Sequence, residues 1–282
     1  MTSRSSIFNK ASIWWASCFC LGLMACQSAP EGFVALDELV SKKLIAFGAG
    51  DRSIAQSEYV LMQWEVMDSA NDSVEIVHEA LIEVKRLADV VLNNTIRMDV
   101  QSLEDGAMVE YMAPGQSFQG IDDTRSLHHK LTIQHCFRDR NEAAHFLATS
   151  ASEGLRSEAE CMDLFTALHP DLQWHAFDDM WVGFKTKSEG DSVKVDRNVT
   201  IQYHTYLLGG QCLDSLTSME FQFGKSGQLL PAMQWGLAKM REGESALILT
   251  ASQWAFGQEG RSAGRILPHT PLYWDVHVVN VD

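Results

Sequence analysis

Basic residues are scarce in this chain: 22 stand against 37 acidic ones, a formal charge of −15. With no basic face to offer phosphate, the sequence argues against a nucleic-acid partner. Cysteine is sparse too. Cys18, Cys20 and Cys26 fall near the amino terminus, leaving Cys136, Cys161 and Cys212 for the body of the protein. Three thiols without a close pair build neither a disulfide framework nor a zinc knuckle, although one disulfide stays open beside the alternative of buried single thiols. Metal ligands are equally thin. His128 and His129 are adjacent and so point to opposite faces of a strand, and no carboxylate spacing joins them or His135 into a site. Gly48-Ala49-Gly50 lacks the strand, turn and helix of a phosphate loop. Neither metal nor cofactor is expected.

The amino terminus has its own character. Arg4 and Lys10 precede the apolar run ASIWWASCFCLGLMA, and no charge occurs between residues 11 and 30. At 15 residues the run is too short for a membrane-spanning helix and reads as an export signal over residues 1–25. Its end, Leu23-Met24-Ala25-Cys26, resembles a bacterial lipobox, which implies cleavage before Cys26 and attachment of lipid to its sulfur. Residues 26–40 then form a tether opening with Gln27-Ser28-Ala29-Pro30. The resemblance, with no Asp after the cysteine, implies an outer-membrane lipoprotein facing the periplasm or the cell surface. Removing residues 1–25 takes two of the 22 basic residues and no acidic one, leaving a charge of −17.

The remaining length exceeds one average domain, and the sequence suggests how it divides. Lys43 to Phe47 aligns with Trp181 to Phe184, Met62-Gln63-Trp64 with Ile201-Gln202-Tyr203, and Ile96, Val100, Leu103 and Gly106 with Met233, Leu237, Met240 and Gly243. Gly120 aligns with Gly257. The offset stays between 137 and 140 throughout, the mark of an internal duplication. The expected units span residues 41–138 and 179–282, joined by a helical connector over residues 139–178 with a break near Gly154.

In the second unit, strands are expected over residues 193–208, 219–223, 245–250 and 272–279. Leu230, Met233, Leu237 and Met240 recur at helical spacing, with Gly243 as a stop. In the first unit, Leu131 to Phe137 reads as a final strand. The residues Ile76, Val77, Ala80, Leu81, Val84, Leu87, Ala88 and Val91 read as a long amphipathic helix over 74–92. The fold class is therefore α+β: two units, each an antiparallel sheet wrapped around a short helix.

Residues 179–282 closely resemble the FKBP-type peptidyl-prolyl isomerase family. The segment Ile201-Gln202-Tyr203 through Gly210, Leu213, Asp214 and Ser215 is similar to that family's V-x-Y-x-G-x-L-x-D-G-x-x-F-D-S motif. Phe221-Gln222-Phe223-Gly224 matches its F-x-x-G, and Gly236, Leu237, Met240 and Gly243 match G-L-x-x-M-x-x-G. Ala255-Phe256-Gly257 stands for the flap A-Y-G, and Ile266 to Val278 for the terminal strand. The resemblance implies a proline-binding cup. Its catalytic positions would be Tyr203, Asp214 and Phe256, and its substrate-binding positions Leu213, Leu229, Leu230, Met233, Ile266 and Trp274. Three departures reshape it: Phe256 replaces a flap tyrosine, Met233 the usual tryptophan, and Leu213 an aromatic residue. Lipoproteins with fused isomerase-like domains of this kind resemble those of the Bacteroidota.

The implied reaction needs no nucleophile. Rotation about a peptide bond faces a barrier of about 18–20 kcal/mol from nitrogen lone-pair delocalisation, and X-Pro bonds populate both isomers. A catalyst must hold the ring, desolvate the amide and accept the twisted bond, for which an apolar cup suffices. Two functions follow: an isomerase acting on proline-containing exported polypeptides, or a non-catalytic module of a cell-envelope assembly with a protein partner. The first unit lacks the G-x-x-F-D-S element and has Gln119 at the Phe256 position, so scaffold, dimer surface or client-binding surface is its expected role.

Overall fold

The computed structural model describes residues 29–68, 73–261 and 266–282, with side chains omitted at 68 and 73–76. The segment expected to be an export signal, and Cys26, lie outside the described residues.

The chain builds two six-stranded, wholly antiparallel sheets of the same topology. The first contains β1 (Val34–Ala35), β2 (Ser41–Ala46), β3 (Tyr59–Asp68), β4 (Ser73–Glu83), β5 (Met108–Pro114) and β6 (Ser126–Phe137), in the order β1-β2-β5-β6-β3-β4. Short helices α1 (Leu87–Val90) and α2 (Asn94–Val100) follow β4. Between the sheets lie α3 (Arg140–Ser152) and α4 (Glu158–Ala167). The second sheet contains β7 (Gln173–Phe177), β8 (Met180–Thr186), β9 (Asn198–Leu207), β10 (Cys212–Gln222), β11 (Ser245–Thr250) and β12 (Leu272–Val281), with α5 (Pro231–Leu237) between β10 and β11. Its order β7-β8-β11-β12-β9-β10 repeats the first strand for strand.

The repeat extends to backbone detail. Gly106 and Gly243 both sit at φ +82°, a left-handed conformation that glycine enters without steric cost. Their N–H groups donate to Ile133 and Val278 of the last strands at 2.9 and 2.8 Å. Even an irregularity recurs. Leu213 is the extra residue of a bulge between the Cys212↔Tyr206 and Asp214↔Thr205 pairs. Glu75 is the extra residue between Val74↔Met67 and Ile76↔Val66.

Several of the sequence expectations change here. Residues 74–92 do not form one helix, because Ser73–Glu83 pairs with β3 along its whole length. Ile82 packs into the core of the first unit, whereas its neighbour Leu81 packs against the connector. Where a strand is covered on both faces, as β4 is at Leu81 and Ile82, it loses its alternation and resembles a helix in its apolar spacing. The expected short strand at 219–223 is likewise part of a longer one, β10, and the long one at 193–208 narrows to β9. The two sheets also take in β1 and β7, which lie before the expected starts at 41 and 179.

Helix ends follow their caps. Asp139 Oδ1 accepts from Glu142 N at 2.9 Å, and Ser157 with Glu160 forms a capping box on α4; such a cap is worth about 1 kcal/mol. Three cores result. Each sheet closes over its own short helix, and a third core joins the α3–α4 hairpin to both sheets, uniting Tyr59, Leu61 and Phe137 with Leu147, Phe165, Leu208 and Leu249. Cys136 and Cys161 are buried single thiols, each pushed up to about 11 chiefly by burial, and Cys212 is free and exposed.

Candidate active site

In the second unit, α5 lies so close to the sheet that a Cβ on Gly236 would meet Ile248 Cδ1 at 2.5 Å. This contact explains the glycine of the Gly236-Leu237 pair and sets the height of the helix over β11. At one end of the helix the sheet and two loops leave a cavity of about 350 Å³. All nine residues expected to form a cup line it: Tyr203, Leu213, Asp214, Leu229, Leu230, Met233, Phe256, Ile266 and Trp274.

Each side chain reaches the cavity for a local reason. Thr205 and Trp274 are cross-strand partners of β9 and β12, and both face inward. Leu213 and Asp214 are consecutive in β10 and should point to opposite faces, but the bulge at Leu213 turns both to the cavity. A second shift, between Leu216 and Met219, brings Met219 to the same wall. Met233 and Trp274 are buried at 4% and 3% exposure and make the floor. Phe256 is half-buried on the flap. It sits in a turn where Ser252 O accepts from Ala255 N at 2.8 Å and Gly257 N at 2.7 Å.

The polar groups lie on the wall and rim, above the Met233 and Trp274 floor. Tyr203 Oη donates to Asp214 Oδ2 over a long 3.4 Å, while Asp214 Oδ1 accepts from Ser215 N at 2.9 Å. Burial, then the Asp214 charge, raise the Tyr203 phenol above its usual range, so it remains a hydroxyl donor at neutral pH. The guanidinium of Arg261 lies 5.2 Å from the centre of the Phe256 ring and adds one positive charge to the lining. Thr205, Met219, Gln228 and Arg261 complete the wall. Only Thr205 could have been found from the sequence, as the inward neighbour of Tyr203 two residues along a strand; the others depend on a bulge or on loops. Among the described residues, neither the first unit nor the connector contributes to the lining.

The first unit shows the same place filled. Strand register puts Trp64 at the Tyr203 position, His129 at the Trp274 position and Ile76 at the Asp214 position. Between Trp64 and His129 lies Phe118, completely buried, its ring centre 6.4 Å from the first and 4.9 Å from the second. The flap is fastened over it. Leu92 N donates to Ser117 O at 2.8 Å and Gln119 N to Val90 O at 2.8 Å, and Val91 and Phe118 form a β-bridge. Among the described residues, no backbone bond joins residues 227–230 to 254–256 of the second unit. In that unit Ala255 takes the place of Phe118, and the space stays open. His129, buried among rings, is pushed down to about 4 by burial and is neutral at pH 7.

The second unit is thus a six-stranded antiparallel sheet over a short helix, with one open cup edged by a tyrosine and an aspartate. Residues 189–279 match the model of the FKBP-type peptidyl-prolyl cis-trans isomerase family, so the second unit is an FKBP-type domain. No curated protein matches the chain. Among solved structures, the N-terminal domain of FKBP42 from Arabidopsis thaliana is 20% identical with a TM-score of 0.36, over 39% of this chain and 92% of that one. The three FKBP domains of wheat FKBP73 are 14% identical with a TM-score of 0.39, over 89% of this chain and 98% of that one. A multi-domain immunophilin from Arabidopsis thaliana is 19% identical with a TM-score of 0.37, over 40% of this chain and 46% of that one.

Proposed function

We propose that this protein is a peptidyl-prolyl cis-trans isomerase of exported polypeptides, of the bacterial lipoprotein type and held at the outer membrane by a lipid on Cys26. The observation that carries the catalytic half is the open cup of about 350 Å³ in the FKBP-type domain, floored by Met233 and Trp274 and with Tyr203 and Asp214 on its edge. A proline ring would rest on Met233 and Trp274. The walls of Leu213, Leu229, Leu230, Phe256 and Ile266 would strip water from the preceding amide, favouring the twisted bond in which charge separation is reduced. Asp214 would accept a hydrogen bond from the substrate or hold the Tyr203 hydroxyl towards it. The filled cup of the first unit suits it to scaffolding or client contact rather than catalysis.

A second reading, a non-catalytic envelope module, is favoured by one observation: Phe256 offers a ring on the flap but no hydroxyl. One such hydrogen bond is worth roughly 0.5–1.5 kcal/mol net, a moderate factor in rate. The test is prolyl isomerisation by residues 27–282 on tetrapeptides with varied residues before proline. Activity that falls in Asp214→Ala and holds or rises in Phe256→Tyr supports catalysis in this cup. A folded wild-type fragment that gives only the uncatalysed rate sinks the enzyme reading. Labelling with palmitate in cells, abolished by Cys26→Ala, tests the anchor.

A further inference from the structure

The flap that carries Phe256 is held from outside its own unit. Its first residue, Ser252, is 4% exposed. Both donors of Ser252 are bound by the carboxylate of Glu158, in the first turn of α4: the N–H donates to Oε2 at 2.6 Å and the hydroxyl to Oε1 at 2.7 Å. Charge-assisted bonds of this length are among the stronger ones a protein makes. Ser252 in turn anchors the turn, since its carbonyl accepts from Ala255 N and Gly257 N on either side of Phe256. The far end of the flap closes on the same carboxylate: His269 N donates to Gly257 O at 3.2 Å, and His269 Nδ1 lies 3.8 Å from Glu158 Oε1.

We infer that Glu158 is a positioning residue for the proline cup, through which the connector sets the place of Phe256. The inference rests on the reading of this cavity as the isomerase site. A chain of contacts supports it: α4 packs in the core that also contains residues of the first sheet, its first-turn carboxylate fixes Ser252, and Ser252 fixes the turn bearing Phe256. Without Glu158 the Ser252 N–H loses its acceptor in a nearly dry setting, and the turn must move to find water. The connector is then part of the site's machinery although it touches none of the cavity. Pre-organising a binding wall from a rigid neighbouring helix is worth more than leaving it to a free loop.

The experiment compares full-length wild type with Glu158→Ala, Glu158→Gln and Ser252→Ala, measuring amide hydrogen exchange and prolyl isomerisation in each. In Glu158→Ala, the Gly257 and Ala255 amides should exchange at least tenfold faster, while the amides of Val278 and Leu249 hold their rates and show that the fold persists. The value of kcat/KM should fall about fivefold or more, mostly through KM. Glu158→Gln keeps one carbonyl acceptor for the Ser252 N–H and should recover part of both effects. Unchanged exchange at Gly257 in Glu158→Ala overturns the inference, as does a loosened flap with unaltered kcat/KM. A wild-type chain without isomerase activity counts against the proposed function instead; the inference then stands or falls on the exchange rates alone.

Discussion

Phe118 and Phe256 lie on neighbouring steps of the same loop in the two copies, and truncating each to alanine should separate core from cup. Phe118 is wholly buried between Trp64 and His129. Removing its ring leaves a void that the bridged Val91 backbone cannot collapse into, and Phe→Ala changes of this kind cost about 3–5 kcal/mol. Against a usual total of about 5–15 kcal/mol, that is a large share of the stability of the first unit. Phe256 is half-buried and open to the cavity, so its truncation should cost about 1 kcal/mol or less of stability. It removes a cup wall, however, and a ring contact of ~1 kcal/mol corresponds to a roughly fivefold loss of kcat/KM. Urea unfolding followed by amide exchange in β3 and β6 reads the first effect, and prolyl isomerisation reads the second. Phe118→Ala should destabilise without altering turnover at temperatures where it is folded, and Phe256→Ala should do the reverse. Equal losses of stability in the two variants, or a loss of turnover in folded Phe118→Ala, would refute the assignment of one loop as core and the other as site.

His129 takes no proton in the folded state until about pH 4, whereas the unfolded chain takes one near 6.5. Its contribution to stability is therefore complete above pH 6.5 and declines as pH falls towards 4, by about 3 kcal/mol in all. Burial shifts His169 of the connector the same way, also to about 4. Urea midpoints from pH 7.5 to 4 should show the decline, and His129→Leu should remove about half of it, the share of His169 remaining. Gly236→Ala should destabilise the second unit by about 1–3 kcal/mol through overpacking against Ile248, partly offset by the helical preference of alanine, which thermal unfolding checks. Arg261, placed beside Phe256 on the cup wall, should favour an acidic side chain next to proline by a factor of about two to five. Arg261→Glu should reverse the ranking of Glu- and Lys-containing peptides in the isomerisation assay.

Much of the cup could be read from residue order alone, because strand and helix spacing fix which side chains share a face. Tyr203 and Trp274 sit on strands whose alternation is plain, and Met233 on the buried face of α5. The loops and bulges were harder. Met219 enters the wall through a register shift that no propensity announces, and Arg261 reaches it from a loop of the flap. Residues 74–92 misled for a different reason: apolar side chains at Leu81 and Ile82 serve two cores on opposite faces of β4, so the alternation of a half-exposed strand breaks at that end. The filled cup was hidden by a single step, since Gln119 aligns with Phe256 while the ring that matters belongs to Phe118.

The hairpin of α3 and α4 shares one core with both sheets, and this bears on how such a chain could be cut or recombined. A break at the start of the family-matched segment would strip β7 and β8 from the second sheet and leave Leu208, Leu249 and Tyr273 facing water. An exposed apolar face of that kind invites self-association. A cut that keeps the second unit intact would have to carry the helix pair with it, and would then expose the side of that pair that packs on Tyr59, Leu61 and Phe137.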